Sequence, residues 1–143
     1  MKTSLFIVGM LALASSACAE AEAQMRFVND SRRGFHSVAR ERGFGATHEF
    51  YWDALREGEH QFVRVLLRKS RTYLFVAACD TRCDGLNAEL YDRDGVLIDR
   101  DAGPDEHPVI EFTPEATAEY RLRVSLADCD TDPCVWGVGV YRR

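Results

Sequence analysis

The chain has 143 residues, 46% of them hydrophobic and 29% charged, with a formal net charge of −5. An acidic chain without a basic stripe is not built to hold nucleic acid. The charge is unevenly spread: residues 24–78 hold 10 Arg or Lys against 6 Asp or Glu, and residues 79–143 hold 7 against 15. The acidic half points to cations or to a solvated rim.

The N-terminus reads MKTSLFIVGMLALASSACAEAEAQ. Lys2 supplies a positive start, Leu5 to Ala14 an apolar run too short to cross a bilayer, and two A-x-A sites follow, the second at Ala21-Glu22-Ala23. This is the pattern of a cleaved secretory signal over residues 1–23, and it predicts export to the periplasm or beyond. Lipoprotein processing at Cys18 is the lesser reading, because Ser15-Ser16-Ala17 lacks an apolar residue at the right offset. Removing the signal leaves one domain's length of chain with no transmembrane segment and four of the five cysteines.

Residues 24–46 read as a short helix with a lead-in. Phe35, Val38 and Ala39 recur at helical spacing within 31–43, Gly43 is placed as a stop, and Asn29-Asp30-Ser31 reads as the capping region. From residue 47 to the end the pattern changes to strands. Segments 47–54, 60–68 and 72–79 are rich in β-branched and aromatic residues, and shorter candidates follow at 87–92, 96–100, 108–113, 119–127 and 134–141. In 119–127, Tyr120, Leu122, Val124 and Leu126 alternate with Glu119, Arg121, Arg123 and Ser125, which makes one face buried and one wet. Eight short strands separated by turn-rich stretches predict an all-β antiparallel sandwich of jelly-roll type. A faint echo pairs two units, one running from Tyr73 through CDTRC and the other from Tyr120 through CDTDPC. Each reads as a hairpin with a stapled tip.

Cys79, Cys83, Cys129 and Cys134 can be read as redox groups, zinc ligands or disulfides. Their spacings are C-x3-C and C-x4-C beside strands, not the C-x-x-C at a helix start that redox thiols use. Both spacings suit a four-thiolate zinc site, but an oxidising compartment favours disulfides. Four cysteines allow three pairings, of which we expect the local ones, Cys79–Cys83 and Cys129–Cys134.

The order of motifs resembles the bacterial pre-peptidase C-terminal domain over roughly residues 47–141. The likeness rests on Leu55-Arg56-Glu57-Gly58-Glu59, Tyr73-Leu74-Phe75-Val76, Leu90-Tyr91-Asp92-Arg93-Asp94-Gly95, Ile98-Asp99 with Asp101, Phe112-Thr113-Pro114 and Tyr120-Arg121-Leu122-Arg123-Val124. The resemblance implies a small exported β-sandwich that accompanies enzymes without being one. It also implies that acidic loops can bind calcium, as in some members of the family. Here the stretch stands without a peptidase, Asn87-Ala88-Glu89-Leu90 replaces an Asp-Leu-Asp-Leu strand, and Ala118 replaces the glycine before the late tyrosine.

Asp92, Asp94, Asp99, Asp101 and Asp105 are the calcium candidates, since calcium takes six to eight oxygens. The competing reading makes Asp92-Arg93-Asp94-Gly95 a hairpin turn. His36, His48, His60 and His107 share no metal spacing, and no nucleophile motif stands out. Phe50-Tyr51-Trp52 could form a carbohydrate platform, although aromatic strand residues more often fill a core. The sequence therefore predicts an exported, non-enzymatic accessory or binding module without a cofactor, for a protein or glycan partner. Its alternatives are a calcium-dependent carbohydrate-binding or adhesion domain and an envelope inhibitor.

Overall fold

The structure, a computed structural model, describes residues 6–103 and 107–143. Helix α1 runs from Phe6 to Glu41, so the short helix expected over 31–43 is the end of a 36-residue one. Ala, Leu, Glu and Gln dominate residues 11–24 and favour helix, and no proline interrupts them. The expected cap at Asn29-Asp30-Ser31 consequently lies inside the helix, where Asp30 pairs with Arg33 one turn on. The expected stop stands: Gly43 adopts φ +80°, a left-handed conformation that glycine takes without strain, and its N–H returns to the Arg40 carbonyl.

Nine strands follow among the described residues: β1 (Gly45–Ala46), β2 (Tyr51–Leu55), β3 (His60–Leu67), β4 (Tyr73–Cys79), β5 (Cys83–Tyr91), β6 (Leu97–Asp101), β7 (Val109–Phe112), β8 (Ala118–Cys129) and β9 (Cys134–Arg142). One sheet has the order β1-β9-β4-β7, with β2 also on β9, and the other has β3-β8-β5-β6. All pairs are antiparallel. The strand expected at 47–54 starts only at Tyr51. Before it, the Thr47 N–H and the His48 ring reach the carbonyls of Val140 and Leu66 individually. Strand β5 starts four residues earlier than expected, because Cys83 and Gly85 join β8 through two register shifts.

The layers are α1, the β9–β4 sheet and the β8–β5 sheet. Strand β4 is buried at every position because it serves two cores. Tyr73, Phe75 and Ala77 face the sandwich interior with Trp136, Val138, Leu122 and Leu86. Leu74, Val76 and Ala78 face the helix, with Phe35, Ala39, Phe44 and Tyr141. Gly139 sits on that second face. A Cβ there would lie 2.6 Å from the Tyr141 hydroxyl oxygen and 2.7 Å from a ring carbon. Tyr141 is buried and would have to shift, so Gly139→Ala is expected to cost about 1–3 kcal/mol through overpacking, measurable by urea unfolding.

Both disulfides form with local pairing, Cys79–Cys83 and Cys129–Cys134. The turns they close are not hairpins. Strands β4 and β9 lie in one sheet and β5 and β8 in the other, so each stapled turn crosses between sheets. Cys83 and Cys129 are register partners, which sets the two staples side by side at one end of the sandwich.

Candidate functional site

The outer face of the β8–β5 sheet is built by period-two alternation. On β3 the buried residues Val63, Val65 and Leu67 leave Phe62, Arg64 and Leu66 outside. On β8 the buried Tyr120, Leu122, Val124 and Leu126 leave Glu119, Arg121, Arg123 and Ser125 outside. Register then places Phe62 beside Arg123, Arg123 beside Glu89, and Arg121 between Arg64 and Tyr91. Arg100 of β6 lies opposite Glu89.

These residues form one connected surface. The Arg121 guanidinium carbon stands 5.8 Å from the centre of the Phe62 ring. Phe62 meets Tyr91 edge-on at 6.2 Å and His60 edge-on at 5.7 Å. Glu89 is the hinge of the polar part: Arg123 Nη1 and the Tyr91 hydroxyl each donate to its Oε2 at 2.9 Å. That hydrogen bond raises the Arg123 pKa further, so its charge is fixed. Its Nε is buried with no partner among the described residues, an unmet donor under the patch. Four arginines thus face two glutamates on a chain that is acidic as a whole.

The patch continues around the open edge of the sandwich. A cleft of about 470 Å³ lies between β2 and β3, lined by Tyr51, Trp52, Gln61, Phe62 and Trp136. Trp52 and Phe62 are 44% and 43% exposed, which is unusual for such large rings. Phe50 borders this cleft too, but the three residues of the run Phe50-Tyr51-Trp52 have different surroundings. Phe50 packs toward α1, Tyr51 packs against the sandwich core, and Trp52 alone is open.

The acidic candidates scatter. Asp92 is a turn residue whose Oδ1 accepts from the N–H groups of Asp94 and Val96, and Gly95 has φ +86° in that turn. Asp101 accepts from the Val109 N–H at 2.9 Å and ties β6 to β7. Asp99 accepts from the Arg100 N–H, and Asp94 is paired with Arg93. Asp105 lies outside the described residues. Among the described residues no three His, Cys, Asp or Glu side chains converge on a common point. The four described candidates, Asp92, Asp94, Asp99 and Asp101, are each engaged locally and are not brought together.

Asp80, which sequence reading passed over, organises the stapled end. Its carboxylate accepts from the Arg82 N–H at 3.1 Å, Arg82 Nη2 at 2.7 Å and the Val135 N–H at 3.0 Å. Burial works to raise its pKa, but these donors and the Arg82 charge outweigh it and hold the carboxyl below its ordinary range.

No protein-family model and no curated protein sequence matches the chain. Solved structures do. The pre-peptidase C-terminal domain of collagenase from Bacillus anthracis superposes with a TM-score of 0.53 at 12% identity, over 64% of this chain and 87% of that one. The fold is that of a pre-peptidase C-terminal domain. PliG from Aeromonas hydrophila, a periplasmic lysozyme inhibitor of g-type lysozyme, also has a TM-score of 0.53, at 10% identity over 69% of this chain and 89% of that one. At such identities the pre-peptidase C-terminal-like fold is what is shared. The uncovered third of the chain is about the share taken by the N-terminal region and its helix.

Proposed function

We propose that this protein is an exported, non-enzymatic binding module that grips a protein partner with the outer face of its β3-β8-β5-β6 sheet. The observation that carries the reading is the Phe62–Tyr91–Arg121–Arg123 cluster, an aromatic and arginine patch on an otherwise acidic chain, with Phe62 exposed and the other three half-buried around it. Exposed aromatic rings and arginines are the side chains that dominate protein interfaces. Its charge selects an acidic partner surface.

Export is supported by the signal-like N-terminus and by the two disulfides. A non-catalytic role is supported by the structural neighbours, a lysozyme inhibitor and the pre-peptidase C-terminal domain of a collagenase. The test compares the oxidised protein with a Phe62→Ala, Arg121→Glu variant as baits for an envelope extract, with a g-type lysozyme assay alongside. One stoichiometric partner held by the parent is expected to be released by the variant, with binding weakened at least about a hundredfold (~3 kcal/mol). Equal retention by both baits, at equal melting temperatures, would place the working surface elsewhere.

A further inference from the structure

A second cleft, of about 390 Å³, lies on the other side of the molecule, where α1 crosses the β9–β4 sheet. Ligand sites of this size are mostly apolar with a few convergent polar groups, and this one has that composition. Phe50, Gly139 and the Tyr141 ring form the floor, and Arg32 and His36, one helical turn apart, form the wall.

The charges around it are not equivalent. Arg33 is paired with Asp30 in the helix. His48 has both ring nitrogens engaged, one with Thr47 Oγ1 at 2.9 Å and one with the Leu66 carbonyl at 3.2 Å. Glu49, the acidic residue of the cleft, lies beside Tyr51, whose phenol is pushed up by burial and then by that carboxylate. Arg32 and His36 are left without an acidic partner among the described residues.

Tyr141 supplies an independent sign. The residue is only 4% exposed and lines this cleft, and its hydroxyl makes no hydrogen bond to another side chain or backbone group among the described residues. Burial raises its pKa and the charge of Arg32 opposes the rise, which sets the guanidinium within electrostatic reach of the hydroxyl. A forked cation and a neutral O–H donor beside an apolar floor suit a singly charged, planar anion. A dianion would lack a second fixed cation and would meet Glu49 at the rim.

We infer that this cleft binds a small carboxylate with an apolar planar body, its oxygens on Arg32 and the Tyr141 hydroxyl and its body against Phe50. Benzoate is the probe, with benzyl alcohol and inorganic phosphate as controls, in an amide NMR titration of the full oxidised chain. Benzoate is expected to give saturable shifts at Gly139 and Phe50. Arg32→Gln is expected to weaken it about tenfold or more, and Tyr141→Phe about threefold to tenfold. Arg32 is solvent-exposed and Tyr141→Phe retains the ring, so both variants should keep the parent melting temperature. Absence of saturation with benzoate overturns the inference. Equal binding of benzyl alcohol also overturns it, by showing that the charge is unused, and equal binding of phosphate does so by showing that the body is unused.

Discussion

Asp80→Ala is expected to lower stability by about 2–4 kcal/mol, because it leaves the backbone donors of Arg82 and Val135 and a guanidinium without their acceptor. The residue lies in the turn closed by Cys79–Cys83 and bonds Val135, next to Cys134 of the second disulfide. Its N–H donates to the Val135 carbonyl, and the Asp130 N–H donates to the Arg82 carbonyl, so the two sheet crossings are tied to each other as well as stapled internally. The carboxyl titrates lower in the folded chain than in the unfolded one. The unfolded state therefore binds the proton first on acidification, and the stabilisation is present above the unfolded carboxyl pKa. It is lost as pH falls through the folded one, below about pH 4. Urea unfolding of the parent and of Asp80→Asn should give stabilities that converge in that window. A gap that stays constant from pH 7 to acid would remove the carboxylate from this role.

Phe35→Ala is expected to cost about 3–5 kcal/mol, because the helix docks as a third layer. Phe35 is 6% exposed, meets Phe50 at 5.7 Å, and shares its cluster with Leu74, Val76 and Tyr141. Truncation opens a cavity between layers, and the helix above it should loosen before the sandwich does. Amide hydrogen exchange checks this: faster exchange over 28–41 with the β8–β5 sheet unchanged is the expected pattern. Unchanged stability and unchanged exchange would mean that α1 adds nothing to the fold.

Much of this architecture was legible because periodicity reports burial directly. Alternation in 119–127 marks one wet face, and the structure puts Arg121 and Arg123 on it. The local disulfides were readable from spacing and compartment together. Three features were not legible, for definable reasons. A pattern of apolar residues gives one buried face, but β4 is buried on both, and its fully apolar run does not say that a helix is the second cover. A stapled turn looks the same whether its strands pair or part into different sheets, so the apparent hairpins were misread. Register also decides which outward residues meet: Phe62, Tyr91 and Arg121 are far apart in sequence, and only the β3-β8-β5 pairing joins them. The signal that could have found the site was an outward phenylalanine and outward arginines on strands whose other face was clearly core. Asp80 carried a different signal, since an Asp directly after a half-cystine in both stapled turns is a turn-capping pattern.

The central claim is that the β3-β8-β5-β6 face is where a partner sits. Hydrogen exchange of the protein alone and with its captured partner tests it most directly. Slowed exchange is expected in β3, β8, β5 and β6 around Phe62, Tyr91, Arg121 and Arg123, with α1 and β9 unaffected. Protection confined to α1, β9 or the disulfide end, with that face exchanging as freely as before, would contradict it.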